Sequence, residues 1–226
     1  MFDARSFIPF ITAGHPNLEM TRDFILEFAA LGIPLVEIGI PFSDPVADGP
    51  VIQRSSFEAL RHGYTLDDYI EMVNQVRKRS DISMIFMTYL NPVIQYGFRN
   101  LDRRAGRAGL NGILISDLIP EEYLAWNRGE YGHGDRFSGF KNLKTVFLVA
   151  PTSLPARIRT ICEASDGFVY IVARTGVTGP KSAIGDSIRG MVREVRKHTS
   201  TPLAVGFGVR SKEDVRTIWE LSLIHI

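Results

Sequence analysis

Pro34-Leu35-Val36-Glu37-Ile38-Gly39 is an apolar run interrupted by a single carboxylate. The absence of an apolar/polar alternation points to a parallel strand covered on both faces. The segment before it, Leu18–Leu31, reads as a helix that stops at Gly32, a suitable C′ residue, with Phe24, Phe28 and Leu31 on one face. Strand-like runs of the same kind occupy Phe7–Thr12, Met84–Thr88, Gly112–Ser116, Thr145–Val149, Gly167–Val172 and Pro202–Gly206. Their starts recur about every 30 residues, the span of one βα unit. Repeated right-handed βα units close into an eight-stranded barrel or spread into a doubly wound sheet.

Helical patterns fill the intervals. Thr65-Leu66-Asp67-Asp68 has the form of a capping box, and Leu66, Tyr69, Ile70, Val73 and Val76 follow as a buried face. Ile158, Ile161 and Cys162 form a shorter stripe after Pro155, and Ile184, Ile188, Met191, Val192 and Val195 form another. Ser211-Lys212-Glu213-Asp214 opens a last helix that faces Val215, Ile218 and Trp219 inward. Residues 121–144 are polar and glycine-rich, so a regular fourth helix is not expected there and an insertion is.

Seven strands are counted, and the expected domain is residues 1–220, one barrel lacking its eighth βα unit. Leu221-Ser222-Leu223-Ile224-His225-Ile226 has no cap or stop signal. It spells the peptide encoded by the mosaic end of a transposon-based sequencing adapter, so residues 221–226 are read as a non-native tail that at most forms a short strand.

Composition narrows the function. The 226 residues are 45% hydrophobic and 23% charged, the usage of a globular protein. Lys+Arg 26 against Asp+Glu 25 leaves +1, which is no footprint for a nucleic-acid backbone. The one cysteine, Cys162, excludes an internal disulfide and a multi-cysteine metal site. His15, His62, His133 and His198 lack ligand spacing, so no metal is expected. The first five residues do not resemble a signal peptide, and no run is apolar enough to span a bilayer. The expectation is a soluble, cytoplasmic protein.

Three places carry chemistry. Glu37 stands at the C-terminal end of its strand, the end where barrel enzymes build active sites. Burial there raises a carboxyl's pKa and suits it to act as acid and base near neutrality. A structural carboxylate bonded to backbone amides is the other reading. Ile40–Tyr64 follows, long for a βα loop and stiffened by Pro41, Pro45 and Pro50. It reads as a lid carrying Asp48, unless Asp48 only makes an Asx-turn before Gly49-Pro50. Finally, Arg174–Gly179 and Gly206-Phe207-Gly208 put glycines after late strands, where backbone N–H groups approach a phosphate. Tight turn geometry is the alternative there.

Together these residues resemble the tryptophan synthase alpha subunit family. The stretches that carry the resemblance are Phe7–Gly14, Glu37–Gln53, Met87–Pro92, Ile115–Pro120, Arg174–Gly179 and Gly206–Gly208. The run Pro41-Phe42-Ser43-Asp44-Pro45-Val46-Ala47-Asp48-Gly49-Pro50 is the most specific. The resemblance implies a (βα)8 TIM barrel, here truncated after about seven units. It implies a lyase that cleaves indole-3-glycerol phosphate to indole and glyceraldehyde 3-phosphate without metal or organic cofactor. By the same resemblance Glu37 is the acid/base, Asp48 bonds the indole N–H, and Tyr170 orients the glutamate. Phe10, Ile52, Met87, Tyr89 and Leu114 line the indole pocket. Thr178 meets the aspartate on closure, and Gly179, Phe207 and Gly208 hold phosphate. The implied partner is a pyridoxal-phosphate beta subunit in an alpha2-beta2 complex, docked on the loops around Asp44-Pro45 and Asn91-Pro92 and on Pro120. A stand-alone lyase, another phosphate-binding barrel such as an isomerase or epimerase, and a non-catalytic fragment that only binds the beta subunit are the alternatives.

Overall fold

The computed structural model describes residues 6–130, 137–172, 184–206, 212–220 and 224–225. The chain divides into two compact units, Pro9–Lys144 and Thr145–Ile226 with Met1–Ile8.

In the first unit the order is β1 (Phe10–Thr12), α1 (Leu18–Ala30), β2 (Leu35–Gly39), α2 (Pro50–Leu60), α3 (Leu66–Arg77), β3 (Ser83–Thr88), α4 (Leu90–Tyr96), α5 (Phe98–Ala108), β4 (Gly112–Ile115) and α6 (Pro120–Asn127). The four strands pair in parallel in chain order, with Phe10 beside Glu37, Gly39 beside Met87 and Met87 beside Leu114. Every residue of β2 is buried, which is why it reads as an unbroken apolar run.

Local chemistry explains the helix ends. Thr65 and Asp68 form the expected capping box at α3. Gly32 takes φ +77° just past α1, a conformation that favours glycine. The face of α1, however, differs from the expected one. Thr21 and Ile25 are its buried residues, while Phe24 and Leu31 are exposed. The buried stripe is offset by about one residue, or roughly 100°, from the Phe24–Leu31 line.

Three further departures concern helices. The long loop after β2 contains α2, started by Gly49 at its N-cap and Pro50 in its first turn. The helices α4 and α5 were not evident from the sequence, because the buried side of α5 is Phe98, Leu101, Asp102, Ala105 and Ala108 among five polar or charged residues. A regular α6 does form, from a proline in its first turn with Tyr123, Leu124 and Ala125 buried. Phe98, Trp126, Phe137 and Phe140 then pack ring against ring, which gives the polar segment a small core.

Asp102 holds the end of that segment. Its Oδ1 accepts from the N–H groups of Lys141, Asn142 and Leu143 at 3.1, 2.9 and 3.1 Å, and Oδ2 accepts from Asn142 Nδ2 at 2.7 Å. Asp102→Ala leaves these donors without their acceptor and lowers stability by about 3 kcal/mol. Asp102→Asn keeps one acceptor oxygen and loses less. Urea midpoints for the two variants check this, and equal small losses would contradict it.

The second unit holds β5 (Lys144–Val149), α7 (Pro155–Ala164), β6 (Phe168–Val172), α8 (Ile184–Arg196), β7 (Leu203–Gly206), α9 (Lys212–Glu220) and β8 (Ile224–His225). Its strands are also parallel in chain order. The stripe Ile158, Ile161 and Cys162 is buried as expected, and so are Ile188, Val195 and Ile218. The seven expected strands are present, and the tail adds the short strand it was allowed: Ile224 and His225 pair with Ala204 and Val205. Ser211 lies outside the described residues.

Candidate active site

The strand register brings the candidate residues of the first unit to one face. Side chains two apart on a strand share a face, so Glu37 and Gly39 do, and parallel neighbours Phe10 and Met87 join them. Gly39 is required there. A methyl group in its place would run into the Phe10 ring, whose position closes one wall of a cavity. Phe10, Ile52, Met87, Tyr89, Asp48 and Ser116 are among the residues lining that cavity. The cavity itself is small, about 10 Å³, roughly the space of one water, and it opens to solvent. Leu114 pairs with Met87 and is fully buried.

Glu37 sits one layer deeper on β2 and is 1% exposed. Neither carboxyl oxygen has a hydrogen-bond partner among the described residues. Burial therefore pushes its pKa up from 4.5 to about 8. The structural reading, a carboxylate bonded to backbone amides, finds no such bond among the described residues.

The raised value has a sign that stability measurements can read. Between about pH 4.5 and 8 the folded chain holds a proton on Glu37 that the unfolded chain lacks. This contribution is complete below the unfolded pKa and is lost as pH rises through the folded one, by up to about 1.4 kcal/mol per pH unit. Glu37→Gln removes that slope. Urea unfolding of both proteins at pH 5, 6, 7 and 8 tests it, and parallel curves would show that Glu37 is ionised when folded.

Asp48 lies in the loop between β2 and α2 and is half-buried. The Tyr89 hydroxyl donates to Asp48 Oδ2 at 2.9 Å and accepts from the Ala47 N–H at 3.1 Å. Gln53 Nε2 donates to the Asp48 carbonyl at 2.8 Å. Burial raises the Asp48 pKa and the Tyr89 bond opposes that rise. Tyr89 is itself held from behind, since Asp117 Oδ1 accepts the Leu90 N–H at 2.6 Å at the start of α4. Thr12 Oγ1 and Ser55 Oγ lie 2.7 Å apart and join α2 to β1. Tyr89 thus both lines the cavity and fastens the loop that carries Asp48. Sequence reasoning found only the first role, because the second depends on a bond across 41 positions.

Tyr170 belongs to the second unit. It is buried on β6, and a methyl group on Gly206 would run into its hydroxyl. Gly206 is therefore required by a close ring approach. Thr178, Gly179, Phe207 and Gly208, with the rest of Arg174–Gly179, lie outside the described residues. Among the described residues no three His, Cys, Asp or Glu side chains gather as a metal site, and no helix is long and apolar enough to cross a membrane.

Parallel βα units with a buried carboxyl at a strand end, beside a small cavity, are the setting in which barrel enzymes build their sites. The family model described as tryptophan synthase alpha chain matches residues 3–223. The tryptophan synthase alpha chain of Thermococcus kodakarensis is 42% identical over 221 residues, 96% of this chain and 83% of that one. That of Solibacter usitatus is 40% identical over 211 residues, 93% and 76% of the two chains. A chain of the tryptophan synthase a2b2 complex from Pyrococcus furiosus superposes with a TM-score of 0.84 and 34% identity, covering 100% of this chain and 88% of that one. The chain belongs to the tryptophan synthase alpha chain family, and its fold is that family's TIM-barrel-like fold.

Proposed function

We propose that the chain cleaves indole-3-glycerol phosphate to indole and glyceraldehyde 3-phosphate. The observation that carries this reading is Glu37, a buried carboxyl without a hydrogen-bond partner among the described residues and with a pKa raised to about 8, on the same face as a cavity edged by Asp48. Family membership supports it.

At neutral pH Glu37 holds a proton. It gives that proton to C3 of the indole ring, and the ring becomes an indolenine cation with its positive charge at nitrogen. Glu37, now a carboxylate, takes the proton of the hydroxyl on the adjacent side-chain carbon. The O–H pair becomes a carbonyl, the C3–carbon bond breaks, and its electrons return to the ring nitrogen. Indole and the aldehyde result, and Glu37 is protonated again. Asp48 accepts the ring N–H and stabilises the charge that develops there. Two proton transfers through Glu37 thus carry the cleavage of the C3–carbon bond. The roles that the family resemblance implies for Tyr170, Thr178, Gly179, Phe207 and Gly208 belong to the same proposal.

The same reading includes a pyridoxal-phosphate beta subunit in an alpha2-beta2 assembly and a cytoplasmic place of action. Asp44 and Asn91 are exposed as a docking role requires. Pro120, expected on that surface, is instead buried in the first turn of α6, and Ile119 beside it is exposed. Val46, Val51 and Phe57 add apolar surface near the same loop, at 81, 83 and 67% exposure.

The test is release of indole from indole-3-glycerol phosphate by the purified chain, alone and with a family beta subunit. Indole is released, and the beta subunit raises the rate. Substrate binding with no indole in either case would refute the cleavage. Cleavage without any association at micromolar concentration would refute the partnership.

A further inference from the structure

One polar group in the cavity wall has no part in the proton transfers. Ser116 follows β4, and its N–H donates to the Thr88 carbonyl at 2.8 Å, one step beyond the β3–β4 pairing. Leu114 stands beside Met87, so Ser116, two residues on, reaches the same face as Met87 and Tyr89. It lines the cavity with them. Its Oγ is buried and has no hydrogen-bond partner among the described residues. Thr88 Oγ1 is buried and unpartnered too. Thr88 also lines the cavity, but it is one step out of phase with Met87 along β3, so its side chain does not share the face of Met87 and Ser116.

A buried hydroxyl without a partner is unfavourable, and most such groups in proteins are satisfied. Phe10, Ile52 and Met87 offer Ser116 only hydrocarbon and thioether surface. An unsubstituted ring against that wall leaves the hydroxyl unpaired. A ring bearing a hydroxyl or amino group supplies both a donor and an acceptor, and a serine can answer either. Sites built to hydrogen-bond a ligand group discriminate against analogues that lack it far better than apolar walls discriminate by size.

We propose that Ser116 is a specificity-determining residue whose hydroxyl takes a hydrogen-bonding substituent on the six-membered ring of the bound indole. The substrate class of the site then includes ring-hydroxylated indole-3-glycerol phosphates. The proposal rests on the reading of this cavity as the indole pocket.

The experiment is calorimetric titration of the full chain with indole, with the four hydroxyindoles substituted on the benzo ring, and with the four matching methylindoles. Methyl controls for size. At one position or more the hydroxyindole binds about tenfold more tightly than its methyl counterpart. Ser116→Ala brings that ratio to about one. The ratio in the unaltered chain decides the matter even if the variant does not fold. Equal affinities for hydroxyl and methyl at every position would overturn the proposal, because an ordered water would then satisfy Ser116. A preference that survives Ser116→Ala would overturn it as well. Indole binding without a hydroxyl preference refutes this proposal alone, whereas failure of every ring to bind refutes the pocket reading beneath it.

Discussion

Glu37→Gln lowers turnover of indole-3-glycerol phosphate by about 10²–10⁴-fold, the range typical of general acid–base catalysis. Substrate affinity is kept, and the reason lies in the protonation state. With a pKa near 8 the native side chain is a neutral carboxylic acid at pH 7. Glutamine has nearly the same shape and the same charge, so the buried site on β2 is not disturbed. What glutamine lacks is a proton to give and to take back. The pH profile adds an independent check. The first step needs protonated Glu37, so the rate falls as pH rises through about 8. A rate that instead climbs to a plateau above pH 8 would make Glu37 a base only, with another group as the acid. Near-native turnover by the Gln variant would remove Glu37 from the chemistry altogether.

How much of this was legible depended on how local each signal is. The strands were readable because burial on both faces leaves an uninterrupted apolar run, as in Leu35–Gly39. The α3 start was readable because Thr65 and Asp68 cap within one turn. The α1 stripe was placed on the wrong line because apolar side chains stand on both sides of it. Which side is buried is decided by packing, and α1 lies against α3. The helix α5 was hidden because its buried side includes Asp102, whose partners at 141–143 are about 40 residues away. At the site, Glu37 announced itself as one charge in an apolar strand, and Asp48 as a carboxylate among prolines. Leu114 was assigned to the indole pocket by resemblance, and it is fully buried beside Met87. Ser116 carried no signal, since a hydroxyl is ordinary in sequence and notable only when buried without a partner.

Asp48→Asn lowers kcat/KM by about 10²–10³-fold, the loss seen when one preorganised charge-stabilising group is removed. Asparagine supports an Asx-turn as well as aspartate does. A mere turn residue would therefore tolerate the change, and unchanged kinetics would establish that role. The structure gives the Asp48 side chain a different partner, the Tyr89 hydroxyl at 2.9 Å. That bond favours the ionised form against the desolvation that burial imposes. An anion is what the ring nitrogen needs as positive charge develops on it. Tyr89→Phe deletes both the donor to Asp48 and the acceptor for the Ala47 N–H. It keeps the ring that lines the cavity, so its loss is smaller, about tenfold. Because the hydroxyl acts through Asp48, the two substitutions are not additive, and the double variant is no worse than Asp48→Asn alone. Measuring kcat and KM for the single and double variants decides the matter. Additive losses would mean that Tyr89 acts on the substrate directly and not by holding the carboxylate beside it.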